Sequence, residues 1–251
     1  PVVRPIASEM LDADQSRRIR YHLQGWLEDW IAEGATPLVA LRTADLSGPA
    51  RGIAYQLMEG LGVAMDEACL RLIRELDEAG RKSLARLGIR LGFYGAYLKA
   101  MMSSRDLDLR ALLWALAANH GTVPVVPAKG EVAMDADPAL PDGFYQAIGY
   151  RKLGLRALRV DMAERLAAEI RKLTRKGQAV ASSDLVSLSG SSRETFVTIA
   201  AALGFRAVLS DDAITLVPQR RKAKRKRTNK PDRKLDPGSP FAKLAELEIA
   251  R

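Results

Sequence analysis

With one cysteine and two histidines in 251 residues, the chain is poor in the side chains from which redox, metal and nucleophilic centres are built. The lone Cys69 excludes an intramolecular disulfide. Its neighbours Leu70, Leu72 and Ile73 recur in a helical pattern, which predicts a packed thiol rather than a reactive one. His22 and His120 are far from each other in sequence. Neither neighbours a cysteine or an acidic cluster at ligand spacing, so neither reads as a metal ligand or a triad member. Long hydrophobic runs are missing as well. The apolar stretches are short and broken by charge, and the first residues carry Arg4 and Glu9, so no membrane span or signal peptide is expected and a cytoplasmic location is the default.

What the chain does have is core material and a localised charge. At 47% hydrophobic it can fill one large or two modest domains. The net charge of +9 is concentrated: residues 220–234 hold ten Lys and Arg against one Asp, whereas residues 1–219 hold 27 basic and 26 acidic residues. A nearly neutral body argues against a strongly electropositive RNA cradle within it. The basic run is too charged and too poor in apolar residues to order itself, and reads as a disordered tail over 219–237. Such a run is either a solubilising segment or a clamp on a phosphate backbone, and the clamp is the reading favoured here.

Periodicity predicts a mainly helical fold. Ile19, Leu23, Trp26, Leu27, Trp30 and Ile31 mark a helix over 14–33, with Gly34 as its stop and both tryptophans in the core. Ser47 and Pro49 begin a second helix through Ile53, Leu57, Met58 and Leu61, and Arg51-Gly52 at its start suits a phosphate or a solvated arginine. A third helix carries Cys69, Ile73 and Leu76, with a break at Gly80 before Lys82–Leu87. Ile89–Tyr94 reads as extended. Ser103 and Asp106 predict a capping box for a central helix of Leu107, Leu109, Leu112, Leu113, Trp114 and Leu116, which is apolar enough to serve as the buried axis of a domain over 1–121.

Residues 122–143 contain Pro124, Pro127, Pro138 and Pro141 without periodicity, and are expected to be a linker or surface loop. Beyond it, residues 144–218 read as a small winged-helix-like domain. Asp161 and Glu164 cap a helix with Met162, Leu166, Ile170 and Leu173 inward; a short helix follows over 183–188. Ser191 and Glu194 cap a third helix carrying Phe196, Ile199, Ala200 and Leu203, and one β-hairpin closes the domain at 205–217. The third helix offers Arg193, Thr195 and Thr198 on its polar face beside Glu194, too little for base-specific readout. At the end, Ser239-Pro240 start a short helix over 238–251 presenting Phe241, Leu244 and Leu247 to this body or to a partner.

Several stretches also carry a family likeness. The run Arg86-x-Gly88-x-Arg90-x-Gly92-x-Tyr94, then Leu109-Arg110-Ala111-Leu112-Leu113-Trp114, resembles the C-terminal region of mitochondrial-degradosome-type RNA helicases, the Suv-three branch of superfamily two, and their bacterial relatives. Leu46-Ser47-Gly48-Pro49-Ala50-Arg51-Gly52, Phe144-Tyr145, Arg159-Val160-Asp161-Met162 and Ser239-Pro240-Phe241-Ala242 follow in the order of the same pattern, so the likeness covers most of the chain. One local departure is Tyr94-Gly95-Ala96-Tyr97-Leu98-Lys99, where the family tends to Tyr-His-Val-Phe-Leu-Pro.

A larger departure is the missing motor. Gly149-Tyr-Arg-Lys-Leu-Gly154 is the nearest approach to a phosphate-binding loop, and Leu155-Arg156 stand where its lysine and hydroxyl belong. The resemblance therefore implies an accessory region that packs on helicase motor domains and contacts RNA or an RNA-containing duplex, with ATP and Mg²⁺ belonging to the motor, no cofactor in this chain and no ATPase activity of its own. A ribonuclease or another protein is the expected partner of the C-terminal helix. A stand-alone winged-helix DNA-binding protein and a structural adaptor are the alternatives. The expected nucleic-acid contacts are Arg220, Arg221, Lys222, Lys224, Arg225, Lys226, Arg227, Lys230, Arg233 and Lys234 in the tail, with Arg86, Arg90, Tyr94 and Arg193 in the body.

Overall fold

A computed structural model describes residues 1–4, 12–103, 106–210 and 213–218. Pro1–Pro218 form one compact unit; residues 219–251, where the basic tail and the C-terminal helix are expected, lie outside the described residues.

Helix α1 (Ala13–Thr43) starts on a reciprocal cap. The Gln15 backbone N–H donates to the Asp12 carboxylate at 2.7 Å, and the Gln15 side chain accepts from the Asp12 N–H at 3.1 Å. The helix does not stop at Gly34 as expected but continues through Pro37 to Thr43. Gly34 is buried against α5 (Leu107–Ala117), and a Cβ there would lie 2.5 Å from Leu109 Cδ2. The missing side chain lets two helices approach; it does not end one.

Three helices and a small sheet complete the first layer. Ser47 precedes α2 (Gly48–Glu59), while α3 (Glu67–Glu75) and α4 (Glu78–Arg86) each start on an aspartate. The Cys69 N–H donates to Asp66 at 2.6 Å and the Gly80 N–H to Asp77 at 2.7 Å. The break expected at Gly80 therefore falls earlier, at Leu76-Asp77, and Gly80 lies in the first turn of α4. Strands β1 (Val63–Ala64), β2 (Ile89–Leu91) and β3 (Ala96–Leu98) pair antiparallel in the order β1-β3-β2. Ile53, Leu57, Cys69, Leu84, Ile89 and Leu98 form the core between sheet and helices.

After a 3-10 turn at Lys99–Met102, α5 begins at Leu107 with Asp106 in the cap position, later than the expected start at Ser103. It is less enclosed than its composition suggests, for Leu116 is half-exposed. Residues 122–143 are not an open linker: they supply β4 (Ala133–Asp135) and the buried Pro127 and Ala136. With α6 (Asp142–Ala147), β5 (Tyr150–Leu153) and β6 (Arg156–Arg159), β4 builds a second antiparallel sheet of order β4-β6-β5. Leu107 and Ala111 share its core with Phe144, Tyr145, Ile148 and Tyr150, so packing crosses the boundary expected between 121 and 144.

The remaining elements are α7 (Val160–Thr174), β7 (Ala179–Val180), α8 (Ser183–Leu188), α9 (Arg193–Ala202), β8 (Phe205–Leu209) and β9 (Ile214–Pro218), with sheet order β7-β9-β8. Leu166, Ile170, Leu185, Phe196, Ile199 and Leu216 pack between them. Leu173, expected inward, is exposed, because the buried stripe of α7 runs through Ala163, Leu166, Ala167 and Ile170 to Thr174. Ser182 caps α8, and Ser192, one residue past the expected Ser191, caps α9. The described residues are thus mainly helical, as periodicity predicts, with three small antiparallel sheets where one hairpin was expected. The expected hairpin at 205–217 corresponds to β8 and β9 and the expected extended segment at 89–94 to β2, whereas β1, β3, β4, β5, β6 and β7, of two to four residues, alternate too briefly to be read from sequence.

Candidate nucleic-acid interface

The motif residues Gly92, Phe93 and Tyr94 form the turn of the β2–β3 hairpin, closed by the Gly92 N–H donating to the Gly95 carbonyl at 2.7 Å. The turn presents two consecutive backbone N–H groups outward. Both are taken by one carboxylate: the Phe93 and Tyr94 amides each donate to Glu164 of α7 at 2.8 Å. A Cβ at Gly92 would overlap that carboxylate, so a side chain there would displace Glu164 from the two amides. Glu164, expected in a capping box for its own helix, is thus an anchor for a loop some seventy residues earlier, and α7 starts at Val160 with no side-chain cap.

Tyr94 is half-buried and held by several partners. Its hydroxyl donates to the Leu203 carbonyl at the end of α9 at 2.5 Å, and the Arg151 guanidinium lies 3.8 Å from its ring centroid. Arg171 of α7 covers the Phe93 ring and reaches toward Tyr94 and Phe205. Burial pushes the Tyr94 hydroxyl pKa up, against the pull of the two guanidiniums, and burial lowers that of Arg151. Cation–π contacts of this kind are worth about 0.5–2 kcal/mol each, depending on desolvation. The Arg151–Tyr94–Arg171–Phe93 cluster therefore joins the β2–β3 hairpin to the α7–α9 layer. Tyr94, expected to contact nucleic acid, is half-buried, with Arg151 close against its ring.

The other expected contacts are dispersed. Arg86 is exposed at the end of α4, and Arg90 is exposed on β2 opposite Tyr97. Arg193 is exposed at the first residue of α9. Tyr94 meets the far end of that helix, about 15 Å away along its axis at 1.5 Å per residue. Around Arg193 the polar face holds exposed Glu194 and Thr198 and half-buried Thr195. The ten basic residues from Arg220 to Lys234 lie outside the described residues.

The tryptophans of α1 overturn the expectation of a core position. Trp26 is 60% exposed and stacks on half-buried Trp30, with ring centroids 5.2 Å apart and planes at 27°. Ile19 and Leu23 continue the same stripe and are also exposed. Leu27 is the buried residue of this part of the helix; Leu38 and Leu41 anchor the rest. The apolar periodicity is real, yet the first half of the stripe has no cover among the described residues.

Buried polar groups serve the fold. Arg110, 2% exposed, donates through Nε to the Ala147 carbonyl and through Nη1 to the Met101 carbonyl, both at 2.6 Å, and burial brings its pKa down to about 10. Cys69 is fully buried and burial pushes its thiol up to about 11, which makes it the packed thiol its neighbours predict. His22 is exposed beside Tyr21, and His120 Nδ1 lies 2.7 Å from the Thr122 carbonyl. Among the described residues no three His, Cys, Asp or Glu side chains gather as a metal site, and no helix is long and apolar enough to cross a membrane.

Sequence reasoning missed Glu164, Arg151 and Arg171 as partners of the Gly92-Phe93-Tyr94 turn. Each lies on an element distant in sequence, and no local spacing signals such a contact. The comparisons with protein-family models, with curated proteins and with solved structures found no match for the chain.

Proposed function

We propose that this chain is a nucleic-acid-binding accessory region of an ATP-dependent RNA helicase, contacting RNA and packing on the motor domains. The observation that carries the reading is an element order beside a charge run. The succession α7-β7-α8-α9-β8-β9, with sheet order β7-β9-β8, supports a winged-helix reading, and two residues after the last strand the sequence enters ten Lys and Arg within residues 220–234. The exposed face of α9, with Arg193, Glu194 and Thr198, lacks the paired Arg or Asn donors that read base edges. Binding then follows phosphate charge and not sequence, and the choice of RNA rests on the helicase-like motifs. The stripe of Ile19, Leu23 and Trp26 on α1, exposed among the described residues, supports the packing role, because such apolar surface marks a protein contact.

The test is a fluorescence-anisotropy titration of a short single-stranded RNA against the full chain and a chain ending at Pro218, at several salt concentrations. Each neutralised phosphate steepens the log–log salt slope by about 0.7 on single strands. The full chain is expected to show a steep slope, and the shortened chain to lose most of the salt-dependent affinity with its melting temperature nearly unchanged. Equal affinity and slope for the two chains would overturn the role given to residues 220–234.

A further inference from the structure

The compact unit also contains a cationic cavity that the winged-helix reading does not use. It lies where α1 ends and α2 begins, has a volume of about 290 Å³, and is lined by Leu41, Arg42, Asp45, Arg51, Tyr55 and Met58 among others. Arg51, Tyr55 and Met58 stand four and three residues apart, so they share one face of α2. Arg42, in the last turn of α1, faces them across the cavity.

Arg42 and Arg51 are both exposed, and neither has an ion-pair or hydrogen-bond partner among the described residues. Two unpaired guanidiniums on one small cavity suit an anion with several oxygens, for their planar forks match phosphate geometry. Tyr55 adds a second chemistry. Its side chain is 58% exposed at the cavity, leaving a ring on which a flat apolar group can stack. Asp45 also lines the cavity, one carboxylate against two guanidiniums, so the cavity stays net cationic, and Asp45 can accept a hydrogen bond from a sugar hydroxyl or a base amino group. The volume stands at the lower edge of the roughly 300–1,000 Å³ range of small-ligand sites, which limits the occupant to about one residue of a polymer.

We propose that this cavity holds one unpaired nucleotide of a single strand, with its phosphate between Arg42 and Arg51 and its base on Tyr55. The proposal rests on the nucleic-acid reading above and adds to it a place where the folded body, and not the basic run, grips the strand. It also gives the body selectivity for single strands, because a base stacked on Tyr55 cannot at the same time be stacked within a duplex.

The experiment uses the full chain and a ten-nucleotide oligouridylate, alone and annealed to its complement. Tyr55→Leu is expected to weaken single-strand binding about tenfold at an unchanged salt slope, within the range for base stacking on an aromatic side chain, and to leave duplex binding as it was. Arg42→Gln with Arg51→Gln should make the slope shallower by about 0.7, one phosphate contact, and Arg42→Lys with Arg51→Lys should restore the slope. All three positions are exposed, so the variants should melt with the parent chain. A strand carrying 5-iodouridine should photocrosslink to Tyr55. If the parent chain binds the strand and neither the variants nor the crosslink map report the cavity, the proposal is overturned while the nucleic-acid reading stands. Equal loss on strand and duplex, or displacement of the strand by an equimolar free mononucleotide, would also overturn it. Absence of any binding by the parent chain would overturn both.

Discussion

Arg110 shows how little a residue's type says of its role. In the sequence it is one charge in the apolar run Leu109-Arg110-Ala111-Leu112-Leu113-Trp114; in the structure it is buried and ties α5 to the Ala147 and Met101 carbonyls. Desolvating the guanidinium is costly, and two short charge-assisted bonds offset part of that cost. Methionine in its place would keep most of the aliphatic volume and strip both carbonyls of this donor. A buried acceptor without a partner costs about 1–3 kcal/mol, so Arg110→Met is expected to lower unfolding stability by about 2 kcal/mol in a urea titration. An unchanged midpoint would mean that relief of the buried charge equals the lost bonds. Tyr94 makes the reverse point: an aromatic residue beside arginines looks like a platform for a base, and here its hydroxyl is bonded to Leu203 and the Arg151 guanidinium lies against its ring.

Among elements, the β2–β3 hairpin depends on a side chain from another layer. Glu164→Ala removes the acceptor of the Phe93 and Tyr94 amides, and the expected loss is about 1–2 kcal/mol. Hydrogen exchange gives the specific readout: the Phe93 and Tyr94 amides should exchange faster, while amides paired between β8 and β9 keep their protection. Faster exchange in both places would indicate general destabilisation, not loss of the anchor. The contrast also explains what was legible in sequence. Caps at Asp66, Asp77 and Ser182 lie within three residues of the amide they bind, so helix starts in α3, α4 and α8 follow local rules. The Gly34 crossing, the pairing of β4 with β6 and the Glu164 anchor join residues far apart in the chain, and a one-dimensional pattern carries no trace of them. The cavity beside α2 is intermediate: Arg51 and Tyr55 stand at helical spacing in the sequence, whereas Arg42 joins them only through the turn between α1 and α2.

At the scale of the whole molecule, hydrophobic and charged surface occupy different places. Residues 1–219 are almost neutral, the net charge belongs to residues 220–234, and among the described residues exposed apolar surface is prominent on α1. A stripe of Ile19, Leu23 and Trp26 meets the sequence criteria for core, and the difference between core and contact surface is simply whether the covering element belongs to the same chain. The two cases predict different thermodynamics. Polar replacement of a true core residue costs several kcal/mol, whereas replacement on an uncovered face stays within about 0.5 kcal/mol. The double variant Leu23→Gln with Trp26→Gln is therefore expected to melt within a degree or two of the parent chain. Any self-association of the parent chain in sedimentation velocity is expected to weaken in this variant, since exposed apolar area has been removed. A drop of many degrees would place the stripe inside this chain's own core, and the surface proposed here for the helicase motor domains would have to be sought elsewhere on the molecule.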